Sequence, residues 1–138
     1  MELTRRKALA LSAGAAALTI IPVHAMGATE ELITAFTGGA DVGEGGLELT
    51  TPEIAENGNT VPVEVSAPGA VEIMLLAAGN PTPPVATFKF GPLAASQSGS
   101  TRIRLAQTQD IVAVAKMADG SFIQTSNQVK VTIGGCGG

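Results

Sequence analysis

A chain of 138 residues, 45% hydrophobic and only 14% charged, has material for one compact domain and is too short for two. Its formal charge of −4 lacks the clustered Lys and Arg that nucleic acid or an anionic membrane surface rewards. Aromatic residues make up 3%, with neither Trp nor Tyr, so the core has to be built from Val, Ile, Leu, Ala and Met, a profile that suits short strands.

The chain begins with a basic stretch at Arg5, Arg6 and Lys7, followed by an apolar run of 14 residues (8–21) and a small-residue end, Val23-His24-Ala25. The run is shorter than the ~18 residues of a spanning helix, and the pattern is that of a removable export signal over residues 1–25, with a cut after Gly27 as the second choice. Thr4-Arg5-Arg6 with Leu9 behind it fits a twin-arginine signal, although Ala8 stands where a bulkier apolar residue is commoner and an ordinary secretory signal stays open. A cut after Ala25 leaves 5 basic and 11 acidic side chains, a net charge of −6 that suits solubility in the periplasm. No anchoring segment is expected.

The same cut removes His24, the only histidine, and leaves a chain with one thiol and no imidazole, phenol or indole. Serine, cysteine and histidine-metal catalytic arrangements cannot be assembled from it, so no enzyme activity, no metal site and no cofactor are expected, with carboxylate-only chemistry formally open. The nine carboxylates from Glu30 to Glu72 lack calcium-loop spacing and read as solvated surface, some of which a partner subunit could meet.

Residues 29–36 predict a short helix, with Thr29 as a cap, Glu30 and Glu31 at the positive dipole end, and Leu32, Ile33 and Phe36 on one face. Gly38-Gly39 ends it. Gly43-Glu44-Gly45-Gly46 lacks the Lys-Ser or Lys-Thr of a phosphate loop and reads as a turn. Beyond it the period becomes two: Val61, Val63 and Val65 alternate with polar positions, and after Pro68-Gly69 come Val71, Ile73 and Leu75, which together predict a hairpin. Further strands are expected over 84–90, 101–106, 111–117 and 127–133. The 111–117 strand is apolar on both faces and should be central or covered by a second chain, while Met74, Leu76 and Phe122 read as core. About seven short strands without intervening helices favour a mainly β fold: an immunoglobulin-like antiparallel β-sandwich over residues 26–133, with a short N-terminal helix and a flexible C-terminal arm.

That arm is Gly134-Gly135-Cys136-Gly137-Gly138. Five residues reach about 17 Å when extended, and glycine lets the backbone curl or straighten at little steric cost. The bland alternative is a leftover cysteine on a frayed end. Yet a lone thiol in an exported protein points to intermolecular pairing or reactive chemistry, and its placement between glycine pairs at the terminus favours the latter. Lys130 is the nearest cation in sequence, so activation of the thiol falls to partner enzymes.

The complete GGCGG ending at 134–138 resembles the SoxY family, the carrier subunits of the periplasmic thiosulfate-oxidising system. The arginine pair of the signal, the strand preceding the tail and the phrase Glu56-Asn57-Gly58-Asn59-Thr60-Val61-Pro62 are also similar to that family. The resemblance implies that Cys136 is the covalent attachment point for sulfur intermediates, an S-thiosulfonate and then a persulfide. Gly134, Gly135, Gly137 and Gly138 would be the backbone clamped by partner pockets. It implies pairing with a SoxZ-type subunit, and visits to a c-type cytochrome, a sulfate-releasing hydrolase and a sulfur dehydrogenase. Two other readings compete: an exported immunoglobulin-like module crosslinked through its terminal cysteine, and a ubiquitin-like thiocarboxylate carrier, which export disfavours because the periplasm offers no ATP.

Overall fold

The computed structural model describes residues 24–134; Arg5, Arg6, Gly135, Cys136, Gly137 and Gly138 lie outside them. One helix, α1 (His24–Thr37), precedes nine strands: β1 (Val42–Gly43), β2 (Glu48–Thr50), β3 (Ile54–Ala55), β4 (Val61–Ser66), β5 (Ala70–Ala77), β6 (Pro84–Lys89), β7 (Ser98–Ile103), β8 (Gln109–Met117) and β9 (Phe122–Val131). They form two sheets, one in the order β1-β9-β8-β5-β6 with β3 also on β9, the other in the order β2-β4-β7.

Alternation drives the packing. In β4, Val61, Val63 and Val65 are buried while Pro62 and Glu64 face water. Those valines meet Ile73, Leu75, Ile111 and Val129 of the larger sheet in one core cluster. Each such side chain, fully removed from water, contributes about 1.5–3 kcal/mol. The mainly β, immunoglobulin-like sandwich expected from the pattern is what forms.

The expected hairpin of β4 with β5 does not exist, because the two strands lie in opposite sheets. Ala67-Pro68-Gly69-Ala70 does turn, with Ala70 N–H donating to Ala67 O at 3.0 Å and Gly69 at φ 87°, the type II pattern. However, Ala67 N–H stays on Gln97 O beside β7, while Gly69 O accepts from Ala118 N–H at the end of β8. The turn therefore arches between sheets and sets the two apolar faces against each other instead of side by side.

The strand expected at 101–106 instead spans Ser98–Ile103, since Leu105 drops fully buried into the core. Strand β9 starts well before residue 127, because every residue from Phe122 to Val129 finds a partner on β8 despite its polar composition. Strands β1 and β3 pair parallel to β9, a departure from an all-antiparallel sheet. Between them the Asn127 side chain donates to Leu49 O at 2.7 Å, so this edge of β9 is met at both ends and at Asn127.

Helix α1 begins earlier than residue 29, extending into Ala25-Met26-Gly27-Ala28, so Thr29 is not the cap; its hydroxyl is buried without a partner. The end is as expected, with Gly38 and Gly39 at φ 67° and 83° and Gly39 N–H returning to Thr34 O. Leu32, Ile33 and Phe36 pack on Met74, Leu76, Val112 and Val114, and the Phe36 ring meets Phe122 edge to face at 5.9 Å. The second apolar face of β8 is thus covered by this chain's own helix, and Met74, Leu76 and Phe122 are core.

Candidate functional site: the root of the C-terminal tail

Of the predicted tail residues only Gly134 is among those described, and the structure shows how the chain is delivered to it. Strand β9 is held on one side by the 53–58 segment: Lys130 N–H donates to Glu53 O (3.0 Å), Thr132 N–H to Ala55 O (3.1 Å), and Gly58 N–H to Ile133 O (2.7 Å). The Thr132 hydroxyl reaches Glu56 O at 3.2 Å. On the other side Val131 N–H donates to the Thr108 hydroxyl at 2.9 Å. The phrase beginning at Glu56 is therefore the wall beside which the chain runs from β9 to Ile133, and within it Asn59 N–H closes an Asx turn on Asn57 Oδ1 at 3.0 Å.

Gly134 itself lies against Ala106. A Cβ there would overlap the Ala106 carbonyl oxygen, so this is a close backbone approach that only glycine allows. Ile133, one residue earlier, is 66% exposed, so β9 has left the core by that point.

The carboxylates of the first half are exposed apart from half-buried Glu72, as expected. Among the described residues no group of three or more potential metal ligands occurs. A hollow of about 600 Å³ on the outer face of the smaller sheet, with Pro62, Glu64, Ser100 and Arg102 on its walls, holds no thiol or imidazole. Sequence reasoning missed the contribution of Asn80, Thr108 and Gln109, which sit in turn-rich stretches where polar residues are ordinary. Only the direct loop contacts of the folded chain reveal them.

The described residues form an immunoglobulin-like β-sandwich whose last strand leads to Gly134, seated against the Ala106 carbonyl. The family model for the sulfur oxidation protein SoxY matches residues 33–136, from within α1 through Cys136. The sulfur carrier protein SoxY from Chlorobium limicola f thiosulfatophilum is 35% identical, with a TM-score of 0.67 over 76% of this chain and 96% of that one. This chain belongs to the SoxY family. Superoxide reductase (neelaredoxin) from Ignicoccus hospitalis, 19% identical with a TM-score of 0.54 over 63% of this chain and 80% of that one, shares the fold alone. So does hypothetical protein PH1083 from Pyrococcus horikoshii OT3, at 14% and 0.53, covering 64% and 96%. No curated protein matches by sequence. No described helix is long and apolar enough to cross a membrane.

Proposed function

We propose that this chain is the sulfur-compound carrier of a thiosulfate-oxidising system, a substrate handle and not a catalyst, with Cys136 as the attachment point. The observation that carries the reading is the family match, which spans residues 33–136 and so takes in the helix, the sandwich and Cys136. The Chlorobium relative is itself a sulfur carrier protein.

The chemistry follows from thiolate reactivity. Cys136 Sγ, deprotonated, forms an S–S bond with the outer sulfur of thiosulfate, and the two electrons released pass to a c-type cytochrome, leaving an S-thiosulfonate. Water attacks the sulfonate sulfur, the S–S bond to it breaks, and sulfate leaves with a persulfide remaining on Cys136. A sulfur dehydrogenase withdraws six electrons from the outer sulfur while three waters supply its oxygens. A second hydrolysis then releases sulfate and returns the thiol. Flanking glycines leave Cys136 without neighbouring side chains, which lets differently shaped pockets hold the same backbone.

Arg5 and Arg6 belong in this reading to a twin-arginine signal that exports the folded chain to the periplasm together with a SoxZ-type partner subunit. Intact-mass measurement of the mature chain from thiosulfate-grown cells, before and after reduction, tests the proposal. Reducible sulfur or thiosulfonate additions on Cys136, absent from Cys136→Ser, are expected. A bare thiol, or only a disulfide-linked homodimer, would overturn it in favour of a crosslinked module.

A further inference from the structure

We infer that Asn80 is a positioning residue for the root of the tail, holding the Ala106 backbone against which Gly134 rests. The consequence for sulfur transfer rests on the carrier reading above; the placement of Ala106 does not.

Asn80 and Gln109 are 8% and 6% exposed, and two side-chain amides so far from water are costly unless fully bonded. They are bonded, and to a purpose. Asn80 Oδ1 accepts from Ala106 N–H at 3.1 Å, while its Nδ2 donates to Arg104 O at 2.7 Å. One planar amide thus takes the N–H after Leu105 and the carbonyl before it, which is what the next strand of a sheet would do. It does so just beyond Ile103, where β7 ends, while Leu105 N–H between the two groups bonds to Gly58 O. Gln109 braces the head: Nε2 donates to Asn80 Oδ1 at 2.8 Å and Oε1 accepts from Gly79 N–H at 2.9 Å. A Cβ at Gly79 would stand 2.8 Å from Gln109 Cβ, so glycine is required for this closeness.

The clamp is relayed to the tail by two routes. Leu105 N–H, between the two clamped groups, donates to Gly58 O at 2.8 Å, and Gly58 N–H donates to Ile133 O at 2.7 Å. The carbonyl of Ala106 is the surface on which Gly134 rests. A buried amide 54 positions before Gly134 therefore sets where the last described residue emerges.

The test is amide hydrogen exchange on the full mature chain, comparing Asn80→Ala with Gln109→Met, which removes only the brace. Exchange at Gly58 N–H, which Asn80 does not touch, is expected to quicken about tenfold or more in the first variant and less in the second, with Ile73 and Val114 unchanged. Alongside it, the apparent KM of the cytochrome partner for the carrier should rise several-fold with kcat little altered, while Cys136 alkylation by a small reagent keeps its rate. Unchanged Gly58 exchange in folded Asn80→Ala, or equal acceleration at Ile73 and Val114, overturns the relay. A loosened Gly58 with an unchanged KM overturns the positioning role. Should Cys136 prove never to hold sulfur, the exchange result still decides the relay, and the carrier reading fails separately.

Discussion

Phe88 of β6 lies directly over Gly99 of β7, so that a Cβ on Gly99 would stand 2.5 Å from the ring. These strands are the free edges of the two sheets and are joined by the 90–97 connection, so the contact is where the sandwich closes on that side. A glycine in a strand interior ordinarily weakens it, and here the missing side chain is the room that the ring occupies.

Gly99→Ala should accordingly cost about 1–3 kcal/mol, the range for overpacking a closed contact. Urea unfolding of Gly99→Ala, Phe88→Leu and the double variant checks it. The double variant is expected to be less destabilised than the two single losses added together, because the smaller side chain makes room for the methyl. Strict additivity would show that the ring does not determine the cost.

At the opposite end, Gly134→Ala places a methyl on the Ala106 carbonyl. Nothing in the core depends on this residue, so the chain end should shift, lose the Gly58–Ile133 bond and cost only about 1 kcal/mol. On the proposed carrier role, sulfur transfer by Cys136 should fall far more than stability does. Thermal melting together with turnover by the partner enzymes separates the two, and turnover equal to wild type would remove this contact from the mechanism.

What was legible in the sequence follows from how local each cause is. The stop of α1 was readable because two successive residues at positive φ require glycine, and Gly38-Gly39 has no other obvious use. The inward valines of β4 were readable from alternation alone. Whether β4 pairs with β5 was not, because Pro68-Gly69 makes the same tight turn in a hairpin and in an arch, and the choice lies with Gln97 and Ala118, distant in sequence. Strands β1 and β3, two residues each, carry no periodicity and exist because β9 offers them an edge. The tail cysteine stood out by composition, whereas Asn80 and Gln109 resembled loop residues until folding buried them.

The turn between β8 and β9 makes a small pH signature. Asp119 accepts from both the hydroxyl and the N–H of Ser121, at 2.6 and 2.8 Å, and these bonds, the hydroxyl's first, hold its carboxyl below the usual aspartate range. A folded-state pKa lowered in this way contributes stability above the unfolded-state value that is lost as pH falls through the folded one. The group is fully exposed, so the effect on folding should be slight, and NMR titration is the measurement of choice. Ser121→Ala should move the Asp119 midpoint upward, toward an ordinary aspartate; an unmoved midpoint would assign the shift elsewhere.

The glycines beside Cys136 give a prediction that separates reach from reactivity. Valine is stiff at χ1 and confined in φ, so Gly137→Val or Gly135→Val restricts the backbone and sets a branched side chain next to the thiol. Neither change alters the charge near Cys136, so its thiolate fraction and its alkylation by a small reagent in the free chain should stay close to wild type. On the proposed carrier role, partner pockets that close around the backbone would exclude the added bulk, and turnover by the proposed hydrolase and cytochrome partners should drop by about tenfold or more, since each 1.4 kcal/mol of lost binding is a factor of ten. Alkylation rates measured beside turnover make the comparison. If both fall together, the substitution has shielded the thiol itself; if neither falls, partners do not grip the tail by its backbone, and the glycines need another explanation.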